Sequence, residues 1–233
     1  MIAGNHFEQD MEHALKAQVD FISLDGGQAG TKGSPPVLED DFGLPTIYAL
    51  SRAVQYLKKR GLQGKVSLLV GGGFFAPNEM LKALALGADA VYIGTAAIWA
   101  MTHTQVSKTL PFEPPTHLVF YPGERVEDFD EEEAAQSLEN FFDSCVEEMR
   151  VATLALGKTD INSVNRDDLM ALDDFTSLVT QVPASYRSQN EQGMGDMGDD
   201  GGKPDDQGTK GDSGMPDDQD KSDDSSMSDD QNK

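Results

Sequence analysis

The chain has 233 residues, a formal net charge of −23 and 25% charged residues. This excess of acidic groups argues against nucleic acid or anionic membranes as partners, because their phosphates would be repelled. The single cysteine, Cys145, excludes an internal disulfide and favours a reducing, cytoplasmic location. No apolar run approaches the roughly 20 residues of a membrane span, and the N-terminus lacks the pattern of a secretory signal.

The first two thirds of the chain alternate amphipathic helices with short apolar strands. The chain opens with a helix from Phe7, in which Phe7 and Met11 share an apolar face. Buried strands are predicted at 19–25, 65–70 and 88–94, and helices are predicted to begin at Pro45, at Pro77 and at about Ala96. This order predicts an α/β fold with a parallel sheet.

A long amphipathic helix is predicted at about 130–156. Cys145 lies on its apolar face, which indicates a core thiol rather than a reactive one. We therefore divide the chain into a first domain at 1–125, a helical extension at 126–188 and a tail at 189–233.

The tail has an unusual composition. It holds 14 acidic and four basic residues and no Leu, Ile, Val, Phe, Tyr or Trp. Such a segment cannot bury enough apolar surface to offset its conformational entropy, so we predict a disordered, solvating acidic tail. Its repeated Asp pairs, as in PDDQ, could bind calcium weakly, but their spacing does not match a calcium loop.

Three predicted strands end in glycine-rich stretches, at 25–36, 71–75 and 94–97. Ligands of parallel α/β folds bind where the carboxyl ends of the strands meet the following loops. Glycine lets backbone N–H groups approach an oxyanion, and a following helix adds its positive dipole end. We therefore predict that residues 71–73 and 94–95 form a binding site for a phosphate monoester. Tight strand–helix turns without a ligand are the alternative.

These stretches carry a family resemblance. DFISLDGGQAGTKGSPP, with a GLP helix start, followed by VSLLVGGGFFAPNEMLKALALGADAVYIGTAAI, resembles the FMN-binding barrel of the glutamate synthase family in its short, single-domain form. The DGGQAGTKG loop distinguishes this family from other barrels that share the GADAV element. The segment LALGKTDINSVNRDDLMALD is similar to the family's C-terminal extension.

The resemblance implies a flavoprotein that forms L-glutamate reductively from 2-oxoglutarate or 2-iminoglutarate. It implies that FMN is the cofactor, with Gly72, Gly73, Gly94 and Thr95 at its phosphate. The loop that begins with Gly26 and Gly27 would face the flavin ring and the substrate. Lys32 lies in that loop as a possible substrate contact, and a solvated loop lysine is the alternative. The catalytic residues stay unknown.

The chain departs from the family in two respects. Residues 99–123 contain no cysteine, so we expect no iron–sulfur cluster and no protein-bound metal. By the resemblance, Met1 falls at the end of the fifth strand. The chain would then form only the C-terminal part, about strands six to eight, of a (β/α)8 TIM barrel, which normally takes about 250 residues.

Two hypotheses follow from the incomplete barrel. The chain is either part of a split enzyme, inactive until an N-terminal barrel half joins it, or a non-catalytic remnant. The electron donor, a nicotinamide cofactor or a separate reductase, stays open, as do the ammonia source and the oligomeric state.

Overall fold

The computed structural model describes residues 6–30, 42–108 and 126–186, together with Pro35 and Val37. All of them belong to the first of two units, residues 1–194. The predicted acidic tail, 189–233, lies outside the described residues, so its disorder stays a prediction.

The observed elements confirm the predicted alternation of strands and helices. The strands are β1 (Phe21–Asp25), β2 (Ser67–Gly71) and β3 (Ala90–Tyr92). The helices are α1 (Phe7–Lys16), α2 (Thr46–Lys59), α3 (Pro77–Leu86), α4 (Thr95–Thr102), α5 (Glu131–Ala155) and α6 (Asp174–Thr180). Among the described helices, none is long and apolar enough to cross a membrane.

The described strands form one parallel sheet in the order β1-β2-β3. Asp25 lies beside Gly71, and Gly71 lies beside Tyr92. Ser67 N–H donates to Asp20 O at 3.0 Å, and Gly26 N–H donates to Gly71 O at 3.1 Å. In a parallel ladder this pattern directs the backbone groups of alternate residues away from β2, so the outer edge of β1 has no strand partner in the described part of the sheet.

The two faces of the sheet differ in burial. One face contributes Ile22, Leu24, Leu68 and Val70 to the main hydrophobic core, which the helices complete. The other, which we call the open face, consists of Phe21, Ser23, Asp25, Ser67, Leu69, Gly71, Ala90 and Tyr92. The side chain of Phe21 on this face is 58% exposed. The predicted buried strand at 19–25 is therefore buried on the face of Ile22 and Leu24, and its other face is partly exposed in the described part of the chain.

Glycine and proline set the ends of α3. Pro77 is its first residue, where the missing N–H would have no helical partner. Gly87 follows the last residue with φ of 112°, a left-handed conformation that favours glycine. A Cβ at Gly87 would lie 3.1 Å from a methyl group of Val54 on α2. The turn that ends α3 therefore also allows α3 to pack closely on α2.

Helix α1 is held on α2 by apolar packing and an ion pair. Phe7 and Met11 are fully buried, which confirms the predicted apolar face. The Arg52 guanidinium donates to both carboxylate oxygens of Glu8, at 2.8 and 2.5 Å, and lies 5.6 Å from the centre of the Phe7 ring. The hydrogen bond from Arg52 lowers the pKa of Glu8.

The C-terminal extension packs on the same core. Ala171 and Val182 belong to the main hydrophobic cluster, and Val164 packs with Leu81 of α3. Cys145 on α5 is 4% exposed, and burial raises the pKa of its thiol. The prediction that Cys145 is a core thiol is therefore confirmed.

Candidate functional site

The register of the sheet brings the predicted loops together. Asp25, Gly71 and Tyr92 form the last row of paired residues across the three strands. Neighbouring strands lie about 5 Å apart, so the loops that leave this row begin close to one another. The site is therefore the edge of the sheet where β1, β2 and β3 end.

The first loop uses its N–H groups inside the protein. Gly26 N–H donates to Gly71 O at 3.1 Å, and Gly27 N–H donates to Leu44 O at 2.8 Å. These two glycines bring the loop against the neighbouring strand and the start of α2. If they contact a cofactor, they do so by allowing close approach and not by donating these hydrogen bonds.

Thr46, the first residue of α2, joins the first loop to the second. Its N–H donates to Gln28 Oε1 at 3.0 Å. Its hydroxyl lies 2.8 Å from Gly72 O and 3.0 Å from Gln28 Oε1 and shares its one proton between them. Sequence reasoning missed this role, because a threonine at the start of a helix carries no sign of a partner 26 residues away.

The second loop offers backbone N–H groups. Gly72 and Gly73 have φ of 121° and 76°, conformations that residues with a Cβ adopt rarely. The register pairs Gly71 with Tyr92, which directs the Gly72 N–H towards β3, whereas in the described part of the chain the N–H groups of Gly73 and Phe74 donate to no backbone acceptor. Consecutive free N–H groups in such a turn form a concave site for an anion.

The third loop leads directly into α4. Gly94 precedes the helix, and no side chain caps the first turn. A Cβ built on Gly94 would meet no atom of the described residues within 4 Å. Gly94 and Thr95 are both exposed. The first N–H groups of α4 and its dipole are therefore available to an anion.

Helix α3, by contrast, is already capped by a carboxylate. Glu79 accepts hydrogen bonds from the N–H groups of Phe75, at 2.8 Å, and Ala76, at 3.2 Å. A negative charge thus occupies the N-terminus of α3. The positive dipole end of α4, and not that of α3, is therefore available to a bound phosphate.

The last row of the open face holds a hydrogen-bonded polar cluster. The Tyr92 side chain crosses Gly71, where a Cβ would lie 2.5 Å from the ring carbon Cζ. Ser23 donates a hydrogen bond to the Tyr92 hydroxyl at 3.0 Å, and the hydroxyl also contacts a carboxylate oxygen of Asp25. Sequence reasoning missed this cluster as well, although Ser23 and Asp25 at alternate positions of an apolar strand were a signal.

Replacing Tyr92 should change how stability depends on pH. Burial and the hydrogen bond to Asp25 raise the pKa of Tyr92 to about 12, whereas an unfolded tyrosine titrates near 10. The contribution of Tyr92 to the free energy of unfolding is therefore complete below pH about 10 and is lost as the pH rises through about 12. In urea unfolding at several pH values, the stability difference between wild type and Tyr92→Phe should shrink over this interval. A difference that stays constant would contradict the assignment.

Some predicted site features lie beyond what the structure describes. Lys32 is in residues 31–34, which are outside the described residues, so its proposed contact stays a prediction. Within the ranges that are described, no group of three or more His, Cys, Asp or Glu side chains could hold a metal ion. The absence of an iron–sulfur cluster also stays a prediction.

The fold and the site together define a parallel α/β protein with glycine-rich loops at adjacent strand ends. The conserved region in glutamate synthase matches residues 1–159. The chain belongs to the glutamate synthase family. This confirms the resemblance seen in the glycine-rich stretches.

Several proteins with assigned names are similar to this chain. The glutamate synthase large subunit-like protein of Rhizobium meliloti is 32% identical over 203 residues, which cover 80% of this chain and 46% of that protein. The archaeal glutamate synthase [NADPH] of Archaeoglobus fulgidus is 44% identical over 94 residues, 40% of this chain and 18% of that protein. The chain thus spans less than half the length of these relatives.

One solved structure superposes on part of this chain. The flavin-binding domain of baker's yeast flavocytochrome b2 superposes with a TM-score of 0.47 and 20% identity. The superposition covers 87% of this chain and 41% of that domain.

Proposed function

We propose that this chain is part of an FMN-dependent, glutamate synthase-type oxidoreductase that forms L-glutamate reductively from 2-oxoglutarate or 2-iminoglutarate. The observation that carries the proposal is the pair of neighbouring loops at Gly72–Gly73 and Gly94–Thr95. Among the described residues, the N–H groups of Gly73 and Phe74 donate to no backbone acceptor, and no side chain caps the first turn of α4. Two consecutive loops of this kind form the usual phosphate site of a parallel barrel. Membership of the glutamate synthase family supports FMN as the phosphorylated cofactor.

In this proposal the glycine loops fit the phosphate end of FMN. Gly72, Gly73, Gly94 and Thr95 would hold the phosphate through backbone N–H groups and the α4 dipole. The cofactor, when bound, would supply the reducing equivalents. The loop at Gly26 and Gly27 would border the ring and the substrate, with Lys32 as a candidate contact for a substrate carboxylate. The catalytic residues stay unassigned.

The open face and the strand edges point to further strands as partners. Phe21 on the open face is 58% exposed, and in the described part of the sheet β1 and β3 each pair on one side only. We propose that these strands are about the sixth to eighth of a (β/α)8 barrel and that an N-terminal half, in this or another chain, covers them. A nicotinamide cofactor or a reductase would supply electrons, and we place the enzyme in the cytoplasm.

A reconstitution experiment tests this function. The chain is purified alone and together with the part of the Rhizobium meliloti relative that precedes its matched region, and both samples are titrated with FMN. Alone, the chain should retain no flavin, because a phosphate held by open loops binds with about millimolar affinity. With the added half, the preparation should become yellow and form glutamate from 2-oxoglutarate with NADPH and either ammonium or glutamine.

The controls separate the possible outcomes. Gly94→Val should weaken FMN binding to the assembled protein at least tenfold, because its side chain would occupy the space in which the phosphate meets the α4 N-terminus. A soluble complex of the two halves that binds no flavin would refute the proposed function and favour the alternative, a non-catalytic fragment. Flavin binding by the chain alone would refute the need for a partner.

A further inference from the structure

The side chain of Tyr92 connects the two outer strands of the sheet. Tyr92 ends β3, its ring passes over Gly71 on β2, and its hydroxyl reaches β1. Any side chain at position 71 would collide with this ring. The bridge therefore requires a glycine in the middle strand, at the row from which the anion-binding loops leave.

The hydrogen bonds of the bridge hold one oxygen of Asp25. Ser23 Oγ donates to the Tyr92 hydroxyl at 3.0 Å, so the tyrosine proton is left for an acceptor. Two acceptors are in reach, the carboxylate oxygen Oδ1 of Asp25 and the carbonyl oxygen of Leu24 at 3.1 Å. The negatively charged oxygen is the stronger acceptor, so the bridge fixes the orientation of the Asp25 carboxylate.

The other carboxylate oxygen of Asp25 is unused by the protein. Among the described residues, Asp25 Oδ2 has no hydrogen-bond donor. Asp25 is half-buried, lies on the open face and immediately precedes Gly26. An oriented carboxylate oxygen at the mouth of a site can accept a hydrogen bond from a ligand O–H or N–H group.

The distance from Asp25 to the two glycine loops indicates which part of a bound ligand could reach its carboxylate. Asp25 lies one strand from the Gly72–Gly73 loop and two strands from the Gly94–Thr95 loop, at about 5 Å per strand. The hydroxyl-bearing chain of a sugar alcohol phosphate is long enough to join a phosphate at these loops to Asp25. The Asp25 carboxylate would repel a phosphate or carboxylate group of the ligand. The hydroxyl groups of the ligand are therefore the donors that suit it.

We propose that Asp25 accepts a hydrogen bond from a hydroxyl group of the sugar alcohol chain of the phosphorylated cofactor, and that Tyr92 is the positioning residue that orients its carboxylate. The inference rests on the proposed function, because it takes the phosphate site from the neighbouring loops. In addition, the inference gives Asp25 a role in ligand selectivity, because its hydrogen bond would favour a hydroxylated phosphate ester over phosphate alone.

The test compares two probes on the full chain, residues 1–233. Inorganic phosphate and D-ribitol 5-phosphate are titrated into isotopically labelled protein, and binding is followed by amide chemical shifts of Gly72, Gly73, Gly94 and Thr95. In wild type, D-ribitol 5-phosphate should bind about tenfold more tightly than phosphate, as one charge-assisted hydrogen bond allows. The ratio of the two affinities is the measure of the Asp25 contact. Asp25→Asn should remove most of this ratio and leave the affinity for inorganic phosphate unchanged.

The variants separate positioning from a structural role. Tyr92→Phe keeps the ring over Gly71 and should lower the ratio severalfold, whereas a structural role alone would change thermal stability and leave the ratio intact. Ser23→Ala removes a neighbouring hydrogen bond but not the contact between Tyr92 and Asp25, so it should preserve the ratio. Phosphate affinity of each variant reports whether its loops are folded, and Asp25→Asn stands as an independent variant if Tyr92→Phe does not fold.

The outcomes that would overturn the inference differ from those that would overturn the proposed function. Equal affinity of wild type for both probes refutes the Asp25 contact and leaves the phosphate site standing. Loss of the ratio in Asp25→Asn but not in Tyr92→Phe refutes the positioning role of Tyr92. If neither probe binds, the phosphate site itself is refuted, and the inference with it.

Discussion

Gly26→Ala is expected to destabilise the fold by about 3 kcal/mol, the upper part of the range for overpacking. A Cβ at this position would lie 2.5 Å from both the backbone N and the Cα of Thr46. No rotamer change can relieve a clash with backbone atoms, so the first loop and α2 must move apart. That movement also strains the hydrogen bond from Thr46 Oγ1 to Gly72 O, at 2.8 Å. Urea unfolding followed by circular dichroism measures the loss.

Gly94→Ala is the matched control for this substitution. Gly26 and Gly94 have negative φ, −70° and −119°, so neither adopts the left-handed conformation that favours glycine. A Cβ at Gly94 meets no atom within 4 Å in the described ranges, and stability should change by less than about 0.5 kcal/mol. Equal stability of the two variants would show that the close approach of Thr46 to Gly26 is not a feature of the folded protein.

Gln105→Ala is expected to cost about 2–3 kcal/mol, because it removes two backbone partners and leaves a void. The side chain of Gln105 is 1% exposed and binds both backbone groups of Asp130, each at 2.8 Å. Its Oε1 also accepts from Lys108 Nζ at 2.8 Å. One buried amide thus connects the end of the α4 segment to the start of α5. Thermal and urea unfolding should both show the loss.

Gln136→Ala provides the comparison for this second variant. Gln136 is exposed on α5, where its amide donates to Glu139 at 3.0 Å and to Asn140 at 3.2 Å. Water can replace these bonds, so the change should stay below about 0.5 kcal/mol. If Gln105→Ala were equally mild, the connection between Gln105 and Asp130 would have no part in stability.

Local sequence determined the order and the ends of the elements. Proline at the first position of α3 and glycine after its last residue are signals that act within one turn, and Gly87 adopts a left-handed conformation. The helical spacing of Phe7 and Met11 likewise predicted their burial, and the position of Cys145 predicted its burial on α5. Each of these features depends on neighbours within a few residues, which periodicity reads directly.

The proximity of the glycine loops also followed from the sequence. Parallel strands joined by helices place their carboxyl ends along one edge, so loops that follow successive strands must be neighbours. The structure orders β1, β2 and β3 accordingly. For that reason the two loops at Gly72 and Gly94 could be assigned to one candidate site before their geometry was known.

Only the tertiary structure decided which groups of these loops are free. Gly26 and Gly73 both follow a strand in a glycine-rich stretch, yet the N–H of Gly26 donates to Gly71 O, whereas that of Gly73 has no backbone acceptor among the described residues. The contact between Tyr92 and Asp25 spans 67 positions and depends on the absence of a side chain at Gly71. Such contacts arise from register and packing between distant segments, and no local pattern encodes them. Sequence therefore located the site, and the tertiary structure decided which of its donors and acceptors remain for a ligand.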